Sequence, residues 1–431
     1  MSARTPAVLG RTLGSLRENR PFQLLWISNL FFFGGVWTQT LVLGWLAWKT
    51  THSDFLVAVF GAVRLAPLLL GPFAGAFADR HNRVRLLVIA CSWALTAVSV
   101  VATLASLGRA SYGVLLVGGL ALGLAQSPSQ PARASLVLDL VGRRNLSNAN
   151  ALNSMALNMT QVIGPAAGGL LINGLGAPAA LWVSTIWYAI SLVLLLPLRG
   201  LGQVVHEHTD SSLRMVASGI RAIARNRLAA TVLLVTLAAN ILVWPIAQSF
   251  MPVFAEESLG LDAAGLGWLL TCGGVGGLAG SLVIAWLGDF RFKGALFVLG
   301  TAAWGATWAL FGLSHSPVTS FVLMTAIGVL SSAFGVLQTT LLLVTTAPPL
   351  HGRALGIQEL AIGVMPVTSL VLGAFAEHFG VGPTTFVSSA LLVVLMALLA
   401  TWTPQLLRYA GAEDARSGVA KSTIKRASSA G

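Results

Sequence analysis

Charge is what this chain has least of. Of its 431 residues 9% are charged and 55% hydrophobic, and the mean hydropathy is +0.80. A water-soluble domain of this size needs a charged shell, so the scarcity excludes one. A polytopic membrane protein does not need it, because its lipid-facing sides are apolar all round. Cysteine is nearly missing as well. Cys91 and Cys272 fall in apolar segments of different halves, which rules out a disulfide framework and leaves them as small packing residues. No G-x-x-x-x-G-K-[ST] stretch is present to cradle phosphates, so ATP hydrolysis is not carried on this chain. The seven histidines lack metal-ligand spacing, and His206 and His208 sit in a polar linker. Hence no catalytic residue, metal or cofactor is expected.

Acids are the scarcer charge, 14 against 26 basic residues, giving a net charge of +12. An excess of this size suggests nucleic acid until the charges are mapped. Lys49 and Arg109 fall in loops of one face, Arg64 falls inside an apolar segment, and the other basic residues cluster near the opposite face. That asymmetry is the positive-inside pattern, which places both termini in the cytoplasm and makes a nucleic-acid partner unnecessary. Residues before Arg20 are basic, and the apolar run after them is too long for a cleaved signal.

What is present is a series of apolar segments, at about 22–48, 54–79, 84–107, 112–138, 147–174, 178–199, 228–254, 263–288, 294–313, 317–346, 354–379 and 382–403. Each is long enough to cross a hydrocarbon core of ~30 Å as a helix. The expectation is an all-α polytopic membrane protein with twelve transmembrane helices. A cytoplasmic tail covers 1–20, six helices 21–200, a cytoplasmic linker 201–227, six more helices 228–404 and a second tail 405–431. The halves echo each other at a spacing of roughly 200–210 residues, as internal-repeat transporters do. Trp37 corresponds to Trp244, Asp79 to Asp289 and Pro165 to Pro366.

The most informative stretch is Gly71 to Arg85, in which an apolar run ends in Asp79, Arg80, Arg83 and Arg85. Gly75-x-x-x-Asp79-Arg80-x-Asn82-Arg83-x-Arg85 resembles the loop 2–3 signature of the major facilitator superfamily, with Asn82 in place of its second glycine. Asn82 is expected to turn the chain in the left-handed region that Asn tolerates. In span five, Gly164-Pro165-Ala166-Ala167-Gly168-Gly169 resembles the G-P-x-x-G-G motif of exporters in that superfamily, with Thr160 where those relatives carry a further glycine. Pro165 is expected to bend the helix while the glycines admit close neighbours. Pro131–Val141 and Asn148–Ser154 resemble the loop 4–5 region of the branch containing the enterobactin exporter and macrolide efflux proteins. The resemblance implies the major facilitator fold of two pseudo-symmetric six-helix bundles. It further implies a latch in which the loop of Gly75, Asp79, Arg80 and Arg83 meets Asp139 and the Gly352–Gly356 region at the start of span eleven; Arg133, near the same end of span four, is within reach of that loop, and Asp289 is the repeat counterpart of Asp79. A static network that also fixes topology is the alternative.

Buried amides cost energy unless they find partners or water, so polar residues on cavity-forming spans mark a pathway. The candidate substrate contacts are Asn29, Trp37, Gln39, Arg64, Asn158, Gln161, Asn240, Trp244, Gln248, Gln338 and Glu359. For Arg64 the alternative is a long side chain snorkelling to the interface. For the two tryptophans it is helix packing. The expected function is export of a small, partly apolar molecule, drug-like or siderophore, across the cytoplasmic (inner) membrane by alternating access, as a monomer embedded in the lipid bilayer. Proton coupling is what the resemblance implies; span one carries no acid to serve it. The competing readings are a non-transporting receptor or scaffold on the same fold, and a polytopic membrane enzyme.

Overall fold

A computed structural model describes residues 19–70, 82–201, 223, 226–287, 290, 292–347 and 350–407. Gly71, Gly75, Asp79, Arg80 and Asp289 lie outside the described residues, as do both tails and nearly all of the linker. Among the described residues every regular element is a helix, and nine helices are long and apolar enough to cross a membrane. Arg227–Leu242 is a shorter apolar helix.

The helices of six residues or more are α1 (Arg20–Thr51), α2 (Asp54–Leu65), α3 (Arg83–Ser106), α4 (Tyr112–Leu175), α5 (Ala177–Leu195), α6 (Arg227–Leu242), α7 (Trp244–Ser249), α8 (Ala263–Leu287), α9 (Lys293–Gly312), α10 (Pro317–Thr345), α11 (His351–Gly363), α12 (Met365–Phe379) and α13 (Val381–Trp402). Side chains start them where the backbone leaves donors unpaired. Asn19 accepts from the Phe22 amide at 3.1 Å and Ser53 from the Leu56 amide at 3.2 Å. Asn82 departs from the sequence expectation. It is extended (φ −60°, ψ 114°), and its side chain caps α3 by accepting from the Arg85 amide at 2.9 Å.

Breaks follow proline and glycine. α4 is two arms joined at Gly142, whose φ of 68° and ψ of 172° only glycine adopts without strain. Those dihedrals end the expected fourth span and begin the fifth. The second arm keeps helical dihedrals through Pro165, so this proline does not interrupt its helix. Its repeat counterpart does coincide with an interruption, since Pro366 opens α12 directly after Val364 ends α11. The expected seventh span is interrupted as well: α6 stops before Val243, Pro245 lies in α7, and Phe254–Ser258 forms a π turn. A proline removes the amide that a continuous helix would use.

Two apolar cores result. One draws its buried residues from 22–198 and the other from 223–406, and the second also takes in Leu41, Trp45, Trp48, Val57 and Ala58 from α1 and α2. Those five residues show where the first half leans on the second.

Candidate functional site

Two ends of the helix array are defined by charged and capping residues. At the first, Lys49 Nζ pairs with Glu256 at 2.6 Å, and the Trp48 indole donates to the other Glu256 oxygen at 2.9 Å. Glu377 accepts from the Ser53 hydroxyl at 3.0 Å and from the Phe55 amide at 2.9 Å. A carboxylate from α12 thus sits at the N-terminus of α2, where the helix dipole favours it. Asp54 lies beside the Glu257 and Glu377 carboxylates. Each of these hydrogen bonds crosses between the two halves.

The halves stay in contact from this end toward mid-height. α2 packs on α12 and α7, its 3-10 extension on α11, and the second arm of α4 on α8. The approach is backbone to backbone. A Cβ on Gly169 would lie 2.5 Å from the Ala263 carbonyl oxygen and 2.9 Å from Gly267 Cα. One on Gly267 would lie 2.7 Å from the Pro165 oxygen. Deeper in, the Thr271 hydroxyl donates to the Val162 carbonyl at 3.1 Å, and a Cβ on Gly274 would meet the Gln161 oxygen at 2.8 Å. The exporter-like motif therefore has two faces. Gly169 meets the second half, whereas Gly164 and Gly168 pack on α1 at Trp37 and Thr38, with the Thr38 hydroxyl donating to the Gly164 carbonyl at 3.1 Å.

At the opposite end three contacts among the described residues each lie within one half. Arg83 binds Asp139 at 2.5 Å, and the Asn19 amide donates to the Leu140 carbonyl at 2.6 Å. In the second half the Asn226 amide donates to the Thr345 carbonyl at 2.7 Å. Two of the three described latch candidates are thereby joined, Arg83 and Asp139.

Arg133 is not with them. Six residues before Asp139 on the same helix, it is 2% exposed, bonds the Asn29 side-chain oxygen and stacks over Phe32 with 4.3 Å between guanidinium carbon and ring centroid. Asn29 in turn donates to Asn153 at 2.6 Å. Arg64 is interior too, at 7% exposed, so it does not snorkel. It lies against Gly119 and Gly123, glycines that leave room for its backbone and stem. The buried Tyr188 of α5 is within electrostatic range of both arginines. Leaving a buried charge without its partner costs about 3–5 kcal/mol, so two such guanidinium groups need a reason to be there. Tyr188 and Asn153 were not singled out from the sequence. Only packing brings Tyr188 near these arginines and Asn153 onto Asn29.

Gln39 is 1% exposed with neither side-chain polar atom partnered. Asn158, Gln161 and Gln248 are half-buried, and Glu359 is exposed. Asn240 is satisfied within its own helix by the Thr236 carbonyl at 2.8 Å. Trp244 meets Trp304 edge-on at 5.5 Å, and Trp304 stacks on Phe334, so its observed contacts are packing within the second core. Trp37 is half-buried against Gly164. The Gln338 side-chain oxygen is buried without a partner. So is that of Gln358, whose amide nitrogen donates to Thr339 at 2.9 Å; the sequence reading passed over this residue.

Residues 12–419 match the family model described as "Transmembrane secretion effector". The staphyloferrin A transporter of Staphylococcus aureus is 25% identical over 82% of this chain and 89% of its own length. The multidrug efflux pump Tap of Mycolicibacterium fortuitum is 24% identical over 90% and 96%. The enterobactin exporter EntS of Shigella flexneri is 26% identical over 71% and 73%. Among solved structures, a peptide transporter of the POT type in complex with sulfate superposes with a TM-score of 0.75 at 12% identity, covering 90% of this chain and 95% of the other. A bacterial homologue of the lysosomal transporter Spinster, inward-facing and unoccupied, does so with 0.65 at 15% identity, covering 90% and 97%.

Proposed function

Because the chain belongs to the transmembrane secretion effector family of the major facilitator superfamily, whose relatives are membrane transporters and not enzymes, we propose that it is a secondary exporter working by alternating access. It carries a small, partly apolar molecule, drug-like or siderophore, out across the inner membrane. Twelve spans form two six-helix bundles; the Lys49 end faces outward, and the Asp139 end and both termini face the cytoplasm.

The observation that supports this best is where the halves touch. Their contacts run from Lys49–Glu256 down to Gln161–Gly274 and involve α1, α2 and the second arm of α4 on one side and α7, α8, α11 and α12 on the other. At the Asp139 end, Arg83 binds within its own half instead. An array closed at one end and, among the described residues, paired within its halves at the other fits an inward-open carrier, the state from which an exporter loads. Rocking must then open the Lys49–Glu256 and Gly169–Gly267 contacts and close the other end. Protons are the proposed coupling ion, with the cluster of Asp54, Glu257 and Glu377 as the described carboxylates grouped at the outer gate.

Counterflow in proteoliposomes tests the reading. Vesicles preloaded with a siderophore or drug of the kinds carried by the relatives should take up labelled compound, faster when a proton gradient is imposed. Binding without counterflow for any of them would sink the carrier and leave a receptor on the same fold.

A further inference from the structure

The first half holds two buried guanidinium groups with no carboxylate beside them among the described residues. Arg133 Nε and Nη2 and Arg64 Nε are buried without a hydrogen-bond partner among the described residues, and so is the Tyr188 hydroxyl. What Arg133 does contact is uncharged: the Asn29 amide oxygen and the Phe32 ring. The acid nearest to it along the helix, Asp139, is taken by Arg83. Counted from the Lys49 end at 1.5 Å per residue, Arg64 lies about 15 Å along α2, and Tyr188 about 17 Å along α5, so both are near mid-membrane. Arg133 lies about 9 Å in from Asp139, on the side where the proposed loading opening is.

A membrane-embedded arginine is normally held by a carboxylate or a backbone carbonyl, or it lines an aqueous path. Here the Phe32 ring lies between Arg133, 4.3 Å away, and the Tyr188 ring, 5.4 Å away, and Tyr188 is within electrostatic range of Arg64; lysine would not present the same fork of N–H groups. Aromatic rings border the same place, with Phe32 under Arg133 and Phe33 5.7 Å from it. We infer that Arg64, Arg133 and Tyr188 form the binding site for the anionic group of the transported molecule, a carboxylate or phenolate carried on an aromatic or otherwise apolar body. This rests on the carrier reading above and narrows its substrate class. Apolar cations are then poor substrates, because this site offers them two like charges and, among the described residues, no acid beside them.

The test uses the purified full chain in zwitterionic lipid nanodiscs and two probes of one shape and opposite charge, 1-naphthoate and 1-naphthylmethylammonium. Wild-type protein should bind the carboxylate at least tenfold more tightly than the ammonium, read by tryptophan quenching and by melting temperature. This charge preference needs no variant, so misfolding cannot obscure it. Arg64→Gln and Arg133→Gln should each lose at least tenfold in affinity for naphthoate, and Arg64→Lys should recover little of it. Adding phosphatidylglycerol should leave naphthoate affinity unchanged; competition by that lipid would assign the arginines to an anionic headgroup and overturn the substrate site. Equal, reversed or absent preference for the carboxylate would overturn it too. Counterflow on the same preparation separates the two readings. Transport of the ammonium without anion preference removes the anion site and keeps the carrier, whereas anion binding without counterflow removes the carrier and keeps the site.

Discussion

Lys49 and Glu256 lie 207 positions apart and meet at 2.6 Å, while the indole of Trp48 holds the second carboxylate oxygen. The pair ties α1 of one half to the π turn of the other. Both side chains are partly exposed, 42% and 30%, so the ion pair alone contributes about 0.2–1 kcal/mol, and the indole bond adds a contribution of similar order. That is enough to shift a two-state equilibrium several-fold without unfolding either half. Glu256→Ala should therefore populate a state opened at the Lys49 end. Spin labels at Arg109 and His315, in loops of the two halves at this end, should show a longer distance population growing by roughly two- to tenfold. Identical distance distributions in both proteins would mean that the contact does not gate.

Gly169 and Gly267 form a backbone-to-backbone part of the same closure. A methyl group on either would press on backbone atoms, which cannot rotate away as a side chain does. Overpacking of this kind costs about 1–3 kcal/mol, here charged to the closed state alone. Gly169→Ala and Gly267→Ala should reach the membrane in normal amount and transport about 5- to 150-fold more slowly. Gly174→Ala on the same helix has nothing within 4 Å and should behave as wild type. Normal counterflow by both interface variants would show that the halves do not need to meet there.

Topology follows from the placement of basic residues and is checked chemically. Cys91 is buried and Cys272 half-buried, so both are replaced by alanine first. Single cysteines at Ser212 and Ser429 should then resist impermeant thiol reagents in intact cells, and one at the exposed His315 should react. Reaction at Ser212 or Ser429 before lysis inverts the proposed orientation.

These contacts differ in how far the sequence discloses them. The helices were legible because lipid makes hydropathy nearly sufficient, and Arg83–Asp139 because charges at a membrane edge have few places to go. Arg133 was misjudged as an edge residue. It sits six positions from Asp139, but the first arm of α4 continues helical to Val141 before Gly142 turns the chain, which draws Arg133 nearly two turns inward. Hydropathy gives depth only roughly and gives no rotation about the helix axis, so neither the neighbourhood of Tyr188 and the two arginines nor the Asn29–Asn153 bond is legible beforehand. Asn82 shows a different limit. A short polar side chain suits both a left-handed turn and a helix cap, and the unpaired amide of Arg85 decided between them. Cross-half contacts such as Lys49–Glu256 depend on which face of each half turns inward, and no local pattern carries that.

Arg83–Asp139 separates a moving latch from a static brace. Arg83 is 8% exposed, and the Asp139 side chain is 16% exposed, so the pair is shielded but not sealed. Removing the acid takes one charged partner from a shielded guanidinium, with a cost below the about 3–5 kcal/mol of breaking a fully buried pair. A brace that is present throughout the cycle stabilises every state equally, and its loss lowers melting temperature and yield without changing turnover per folded molecule. A latch that parts as the array rocks stabilises one state, and its loss changes turnover. Asp139→Asn should reduce counterflow per folded protein by about tenfold while melting temperature falls by only a few degrees. Arg83→Gln should do the same, and the double variant should be no worse than either single one, as expected when one interaction has been removed twice. Equal losses of transport and folded protein in all three would make the pair a brace.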